Sequence, residues 1–282
     1  MLRVATYTVM VYAPHYAADA LGLWRKHGVQ VQLRHLPGLV GMTSMIRGGE
    51  ADACVANLSY ACRTGGPGPS LTPVAWINEQ VYAVLIARYP DNRFSWSDLA
   101  GRTVIYPGDL TTFCALRQAL AVAGVDAGAA NLLPALRAPD VVDQWTSGLG
   151  DFAVVPIEQA LRLKTPWVAT IADQVGRITW SVCLAPPQTL ANHAEELTSF
   201  RNALTEAKQW VREHRGLEVA PVIRRYFPAD HEPWLAASVD AYNEIGMWQG
   251  TAEIDREPAR RWLDILIRYG AAPSDLSLDE VL

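Results

Sequence analysis

Residues 29–57 alternate and then turn helical. Val29, Val31 and Leu33 are separated by the polar Gln30, Gln32 and Arg34, the period-2 pattern of a half-buried strand. Pro37-Gly38 ends that strand, because proline cannot donate to a ladder and glycine permits a sharp turn. Leu39, Val40, Met42, Met45 and Ile46 then recur at helical spacing, and Gly48-Gly49 closes the helix as a C-cap does. The apolar run 51–55 predicts a second, buried strand that exits at Asn57. A strand–helix–strand unit predicts parallel strands and a right-handed crossover. In sheets of this kind ligands sit outside the carboxyl ends of the strands. Those ends are Pro37-Gly38-Leu39 and Asn57-Leu58-Ser59, and a functional cleft is expected there.

The same logic runs through the rest of the chain. Residues 2–8 predict a first strand. Pro14 suits the first turn of the helix that follows, which ends at Lys26-His27-Gly28. His15 opens this helix and is expected to face the cleft, with a packing role as the plain alternative. Two apolar runs, 73–78 and 80–88, flank the polar set Asn78-Glu79-Gln80, and the second is long enough to pass between domains. After a strand at 103–106, Thr111 and Thr112 open a helix, as caps or as neighbours of free N–H groups that suit an anion. Gly150-Asp151-Phe152-Ala153 repeats the glycine–acid–strand order of Gly49-Glu50-Ala51-Asp52, which argues for two related α/β lobes. Glu158 falls in the first turn of the next helix, where a carboxylate complements the helix dipole. Strands are predicted at 167–172 and 178–185, the latter as a return crossing that carries Trp180. From His193 onward the pattern is helical.

The expected architecture is therefore α/β and bilobal. Lobe one comprises residues 1–82 plus 184–282, lobe two comprises 86–180, and two crossing segments permit hinge closure.

Composition narrows the function. Half of the 282 residues are hydrophobic and 19% are charged, with a net charge of -5 and no basic run. Nucleic acid is not an expected partner. The four cysteines, Cys54, Cys62, Cys114 and Cys183, have neither disulfide nor metal-ligand spacing, so no metal and no cofactor are expected. No apolar run reaches the roughly 20 residues that span a bilayer. Met1 leads directly into a strand, leaving two alternatives: a periplasmic or extracellular protein whose leader was removed, or a cytoplasmic one that starts at Met1.

Several blocks together carry a family resemblance: YAADALGLWRKHGVQVQL (16–33), GGEADACVAN (48–57), DLAGRTVIYPGD (98–109), GDFAVVP (150–156) and EPARRWLDILIRYG (257–270). In this order they resemble the nitrate/sulfonate/taurine-type substrate-binding proteins of ABC transporters, a family that also contains the thiamine pyrimidine precursor synthases. The resemblance implies the periplasmic-binding-protein-like fold, a ligand cleft between the lobes, and an ABC permease as partner. It places Tyr12, His15, Gly38, Leu39, Asn57, Asn78, Thr111, Thr112, Glu158 and Trp180 around a small-molecule ligand. Against the synthase pattern, residues 175–179 contain no cysteine, and Ala56 and Tyr60 stand where those enzymes have a lysine and a histidine. An enzyme is therefore the weaker expectation. Capture of a small polar or heteroaromatic molecule is the favoured one, with a cytoplasmic enzyme or sensor for a pyrimidine-like molecule as the alternative.

Overall fold

The computed structural model describes residues 1–36, 41–62, 70–90 and 93–282, apart from the side chains of Thr43 and Ala138. The predicted turn at 37–38 and the helix positions Leu39 and Val40 lie outside the described residues. The chain divides into two compact units. The first holds Met1–Glu79, Thr179–Leu263 and Ala272–Leu282, and the second holds Gln80–Ile178 and Asp264–Ala271.

Among the described residues ten strands form two sheets. In chain order they are β1 (Leu2–Tyr7), β2 (Val31–Leu36), β3 (Ala53–Asn57), β4 (Thr72–Asn78), β5 (Ala83–Ala87), β6 (Thr103–Pro107), β7 (Asn131–Ala135), β8 (Phe152–Pro156), β9 (Trp167–Thr170) and β10 (Ser181–Ala185). The first unit's sheet has the order β2-β1-β3-β10-β4 and the second has β7-β6-β8-β5-β9. β1 is parallel to β2 and β3, so the strands flanking the 42–47 helix run the same way, as the pattern predicts. β10 runs antiparallel between β3 and β4, and β5 runs antiparallel between β8 and β9.

Three predicted strands are shorter in the structure. The run 80–88 narrows to Ala83–Ala87, and Tyr82 instead offers its carbonyl to Ile157 N at 3.2 Å. The run 167–172 stops at Thr170, whose hydroxyl accepts from Asp173 N at 3.1 Å and so caps the helix Ile171–Val175. The return run 178–185 becomes ladder only from Ser181 onward. In each case apolar content persists past the point where local backbone bonding has already changed.

The glycine–acid–strand repeat has a physical purpose that recurs in both units. Asp52 Oδ2 accepts from Arg3 N at 2.8 Å while Asp52 N donates to Arg3 O at 2.8 Å. In the second unit Asp151 Oδ2 accepts from Thr103 N at 2.9 Å and Asp151 N donates to Thr103 O at 2.9 Å. Each acid thus clamps the start of its own strand onto the start of the neighbouring parallel strand, setting the register beyond the last ladder pair.

The first unit's core is helical on one side. The helix Ala194–Glu213 buries Leu197, Phe200, Leu204 and Val211, and with them Lys208. Lys208 is fully buried, with Nζ donating to Glu79 Oε1 at 2.5 Å and to Thr251 O at 2.8 Å. A buried pair of this kind adds little net stability, but removing one partner strands the other charge. Lys208→Ala is therefore expected to destabilise the protein by about 3–5 kcal/mol, and the double variant Lys208→Met, Glu79→Leu is expected to recover most of that loss. Urea unfolding followed by circular dichroism measures both; equal losses in the two variants would overturn it.

Candidate functional site

The sheet orders fix which residues share an edge. In the first unit the carboxyl ends of β1, β2, β3 and β4 lie at the same edge as the amino end of the antiparallel β10. That edge carries Tyr7, His35, Asn57 and Asn78, with Thr179 and Trp180 just ahead of β10. Asn57, Asn78 and Trp180, all expected at the site, are brought together here. Ser181 is the register partner of both Asn57 and Asn78, and its N–H donates to Asn78 Oδ1 at 3.0 Å. Trp180 O accepts from Leu58 N at 3.1 Å.

Around Asn57 the polar groups are unevenly satisfied. Asn57 Oδ1 accepts from Ser59 N at 3.0 Å, an Asx cap on the short 3-10 turn Leu58–Tyr60. The same oxygen accepts from Trp262 Nε1 at 3.0 Å, delivered by the helix Arg256–Arg268. Trp262 packs against Trp180 with ring centroids 5.0 Å apart. Asn57 Nδ2, Ser59 Oγ and Thr179 Oγ1 are buried with no hydrogen-bond partner among the described residues. Buried polar groups are ordinarily paired, so such a cluster calls for a partner from outside the chain.

Tyr12 and His15 lie deeper in the same unit. Tyr12 is buried and its hydroxyl donates to Tyr7 Oη at 3.3 Å. His15, on the helix Ala13–Ala20, is 0% exposed. Tyr12, Trp24 and Phe200 surround it with ring centroids 6.2, 6.2 and 5.8 Å away. Neither ring nitrogen has a partner among the described residues. Burial, with the nearby Lys208 charge second, pushes its pKa down to about 3. The sequence places His15 at a helix start facing the cleft, with packing as the alternative; in the structure it is buried against the rings of Trp24 and Phe200.

Thr111, Thr112 and Glu158 belong to the second unit, where the corresponding edge lies at the carboxyl ends of β6 and β8. The cap of the helix Leu110–Val122 is Asp109 and neither threonine. Asp109 Oδ1 accepts from Thr112 N at 2.9 Å and from Thr111 Oγ1 at 2.6 Å. Gly108 makes this turn possible, since a Cβ there would stand 2.3 Å from Ala135 O. Glu158 is buried in the first turn of the helix Ile157–Leu163. Gly38 and Leu39 lie outside the described residues. A cavity of about 170 Å³ opens at the opposite edge of this sheet, beside Phe94, Phe152 and Arg102. Its carboxylates, Asp98 and Asp151, already accept from the backbone N–H groups of Ser95 and Thr103.

Ser59 falls in the strand end where the cleft is expected, whereas Thr179 and Trp262 lie outside the expected set. Thr179 directly precedes the predicted contact Trp180. Trp262 is 205 residues from Asn57, and nothing local to it signals the contact.

Two units, each a mixed α/β sheet with helices, define the fold of the periplasmic-binding-protein class. The solved structures that match bear this out. The aliphatic sulphonate binding protein SsuA of Escherichia coli superposes with a TM-score of 0.78 at 16% identity, covering 100% of this chain and 96% of that one. The periplasmic nitrate-binding protein NrtA of Synechocystis PCC 6803 gives a TM-score of 0.73 at 14% identity, covering 99% and 83%. In sequence, YtlA of Bacillus subtilis (strain 168), whose binding role is itself an inference, is 20% identical over 292 aligned residues, covering all of this chain and 87% of that protein. The model of the NMT1/THI5-like family matches residues 10–215, more than half of the chain, and the protein belongs to that family.

Two outcomes test these placements. Relative to its ordinary value of 6.5, His15 binds fewer protons folded than unfolded. The stability that its neutral form permits is complete above about pH 6.5 and is lost as pH falls toward 3, by up to about 5 kcal/mol. His15→Phe, which keeps the ring packing and removes both nitrogens, is expected to unfold with a shallower acid limb; parallel curves from calorimetry would overturn the buried neutral assignment. Asp109→Ala is expected to cost about 1 kcal/mol as a lost cap, and Thr111→Ala less, since Asp109 retains the Thr112 N–H. Equal thermal shifts would contradict that order.

Proposed function

We propose that this protein is a solute-binding protein that captures a small polar or heteroaromatic molecule by lobe closure and delivers it to an ABC importer. The observation that carries this reading is the edge at β3 and β10, where an amide and two hydroxyls stand buried and unpartnered beside the Trp180–Trp262 pair. Small-molecule sites are commonly apolar and aromatic, with a few fixed polar groups that set orientation. The sulphonate- and nitrate-binding functions of the matched structures support the class of function, while the groups around Asn57 favour an uncharged ligand. A buried anion needs a compensating charge or several strong donors to offset its desolvation, and an amide and hydroxyls supply no charge. The synthase reading is weaker because Ala56 is an apolar residue buried within β3 and offers no amine for an aldehyde cofactor.

Calorimetric screening tests this. Heteroaromatic or amine-bearing compounds are expected to bind ahead of nitrate and taurine. Tight binding of either anion would overturn the ligand class, and a panel in which nothing binds would overturn the solute-binding reading itself.

A further inference from the structure

We propose that the Asn57 side chain is the group that reads the ligand, that Trp262 holds it in its reading orientation, and that what it reads is an uncharged hydrogen-bond acceptor, an unprotonated ring nitrogen or a carbonyl oxygen. This deepens the solute-binding reading above and rests on it.

The orientation of the amide follows from its neighbours. A backbone N–H and an indole N–H are donors only, and both point at one atom of Asn57, from Ser59 N and Trp262 Nε1. Only the carbonyl oxygen can stand there, and it uses both lone pairs. The NH2 group is thereby committed to the other direction, where it is buried and meets no acceptor among the described residues. A free amide could rotate to suit a donor or an acceptor; this one cannot.

Two hydroxyls complete the set. Ser181 lies opposite Asn57 in the antiparallel ladder, and the Leu58 N–H bond to Trp180 O continues the pairing by one residue. Ser59, in the 3-10 turn that follows, and Thr179, just ahead of Trp180, are 3% and 0% exposed, with both hydroxyls unpartnered among the described residues. A hydroxyl adapts as donor or acceptor, whereas the amide NH2 only donates, so the fixed preference of the cluster is for an acceptor. The Trp180–Trp262 pair alongside favours a flat ring as the carrier of that acceptor.

The test uses 3-pyridinemethanol and benzyl alcohol, which differ by one ring nitrogen, with nitrate and methanesulfonate as anionic arms, titrated at pH 8 into the full chain. The wild-type protein is expected to prefer the pyridine compound at least tenfold, with shifts of the Asn57 side-chain NH2 resonances on its addition. Asn57→Asp keeps an oxygen for Ser59 N and Trp262 Nε1 but puts a second oxygen where the NH2 stood, and is expected to abolish the preference. Trp262→Phe frees the amide to turn and is expected to reduce the preference, read as a ratio so that a general loss of packing does not mimic it. If the pyridine compound binds and both variants retain the preference, this inference falls while the solute-binding reading stands. If the anions bind and displace the pyridine compound, the uncharged class falls. If none of the four binds the wild type, or if a crystal soaked with the pyridine compound shows only an ordered water joining the three groups, the inference is overturned.

Discussion

The first unit depends on a strand that arrives last. β10 enters after the second unit's whole sheet has been traversed, and it pairs antiparallel with β3 on one side and β4 on the other. Without it, β3 and β4 would each present an unpaired row of backbone donors and acceptors in the middle of the sheet, and buried backbone groups left unpaired are costly. The chain is therefore committed to leave the first unit after Glu79 and to come back at Thr179. That commitment places Thr179 and Trp180 beside Asn57. The strand that completes the first sheet thus also completes the candidate site.

Buried polar groups elsewhere in the same unit are handled differently. Lys208 and Glu79 satisfy each other, with Thr251 O as a further acceptor. Asp52 spends its oxygens on the Arg3 backbone and guanidinium. The paired arrangements hold elements in register or join distant segments. Beside Asn57, one atom is doubly paired and its amide partner is left over, together with two hydroxyls. Each buried donor left without a partner costs about 1–3 kcal/mol. Asn57 Nδ2, Ser59 Oγ and Thr179 Oγ1 stand to gain from a molecule that supplies the missing contacts.

Much of the fold was legible because the repeated devices are local. The glycine–acid–strand order at 49–52 and again at 150–152 signals two α/β units from spacing alone, and the structure shows the acid clamping the strand start each time. Strand ends were less legible. Thr170 and Asp173 form a cap inside a run whose hydrophobicity continues unbroken, and hydropathy is blind to that change. At the site, Asn57 followed from the rule about carboxyl ends of strands, whereas Asn78 and Trp180 came with the family resemblance. Trp262 came from neither, because its contact with Asn57 is made by a helix 205 residues away. His15 shows the opposite failure, since its position at a helix start was visible but the direction of its side chain was not.

The contrast between His15 and Asn57 separates two kinds of unpartnered polar group. His15 sits among rings, and burial holds it neutral with its pKa near 3. Its surroundings accept an imidazole as a flat, weakly polar ring, and the adjacent Trp24 indole N–H is likewise buried without a partner among the described residues. Asn57 differs: Ser59 N and Trp262 Nε1 both donate to its oxygen, leaving its NH2 buried and without a partner among the described residues. Ring packing accounts for the first without any ligand. The second is oriented, since two donors from separate stretches of chain, Ser59 N and Trp262 Nε1, fix the oxygen and so the direction of the NH2.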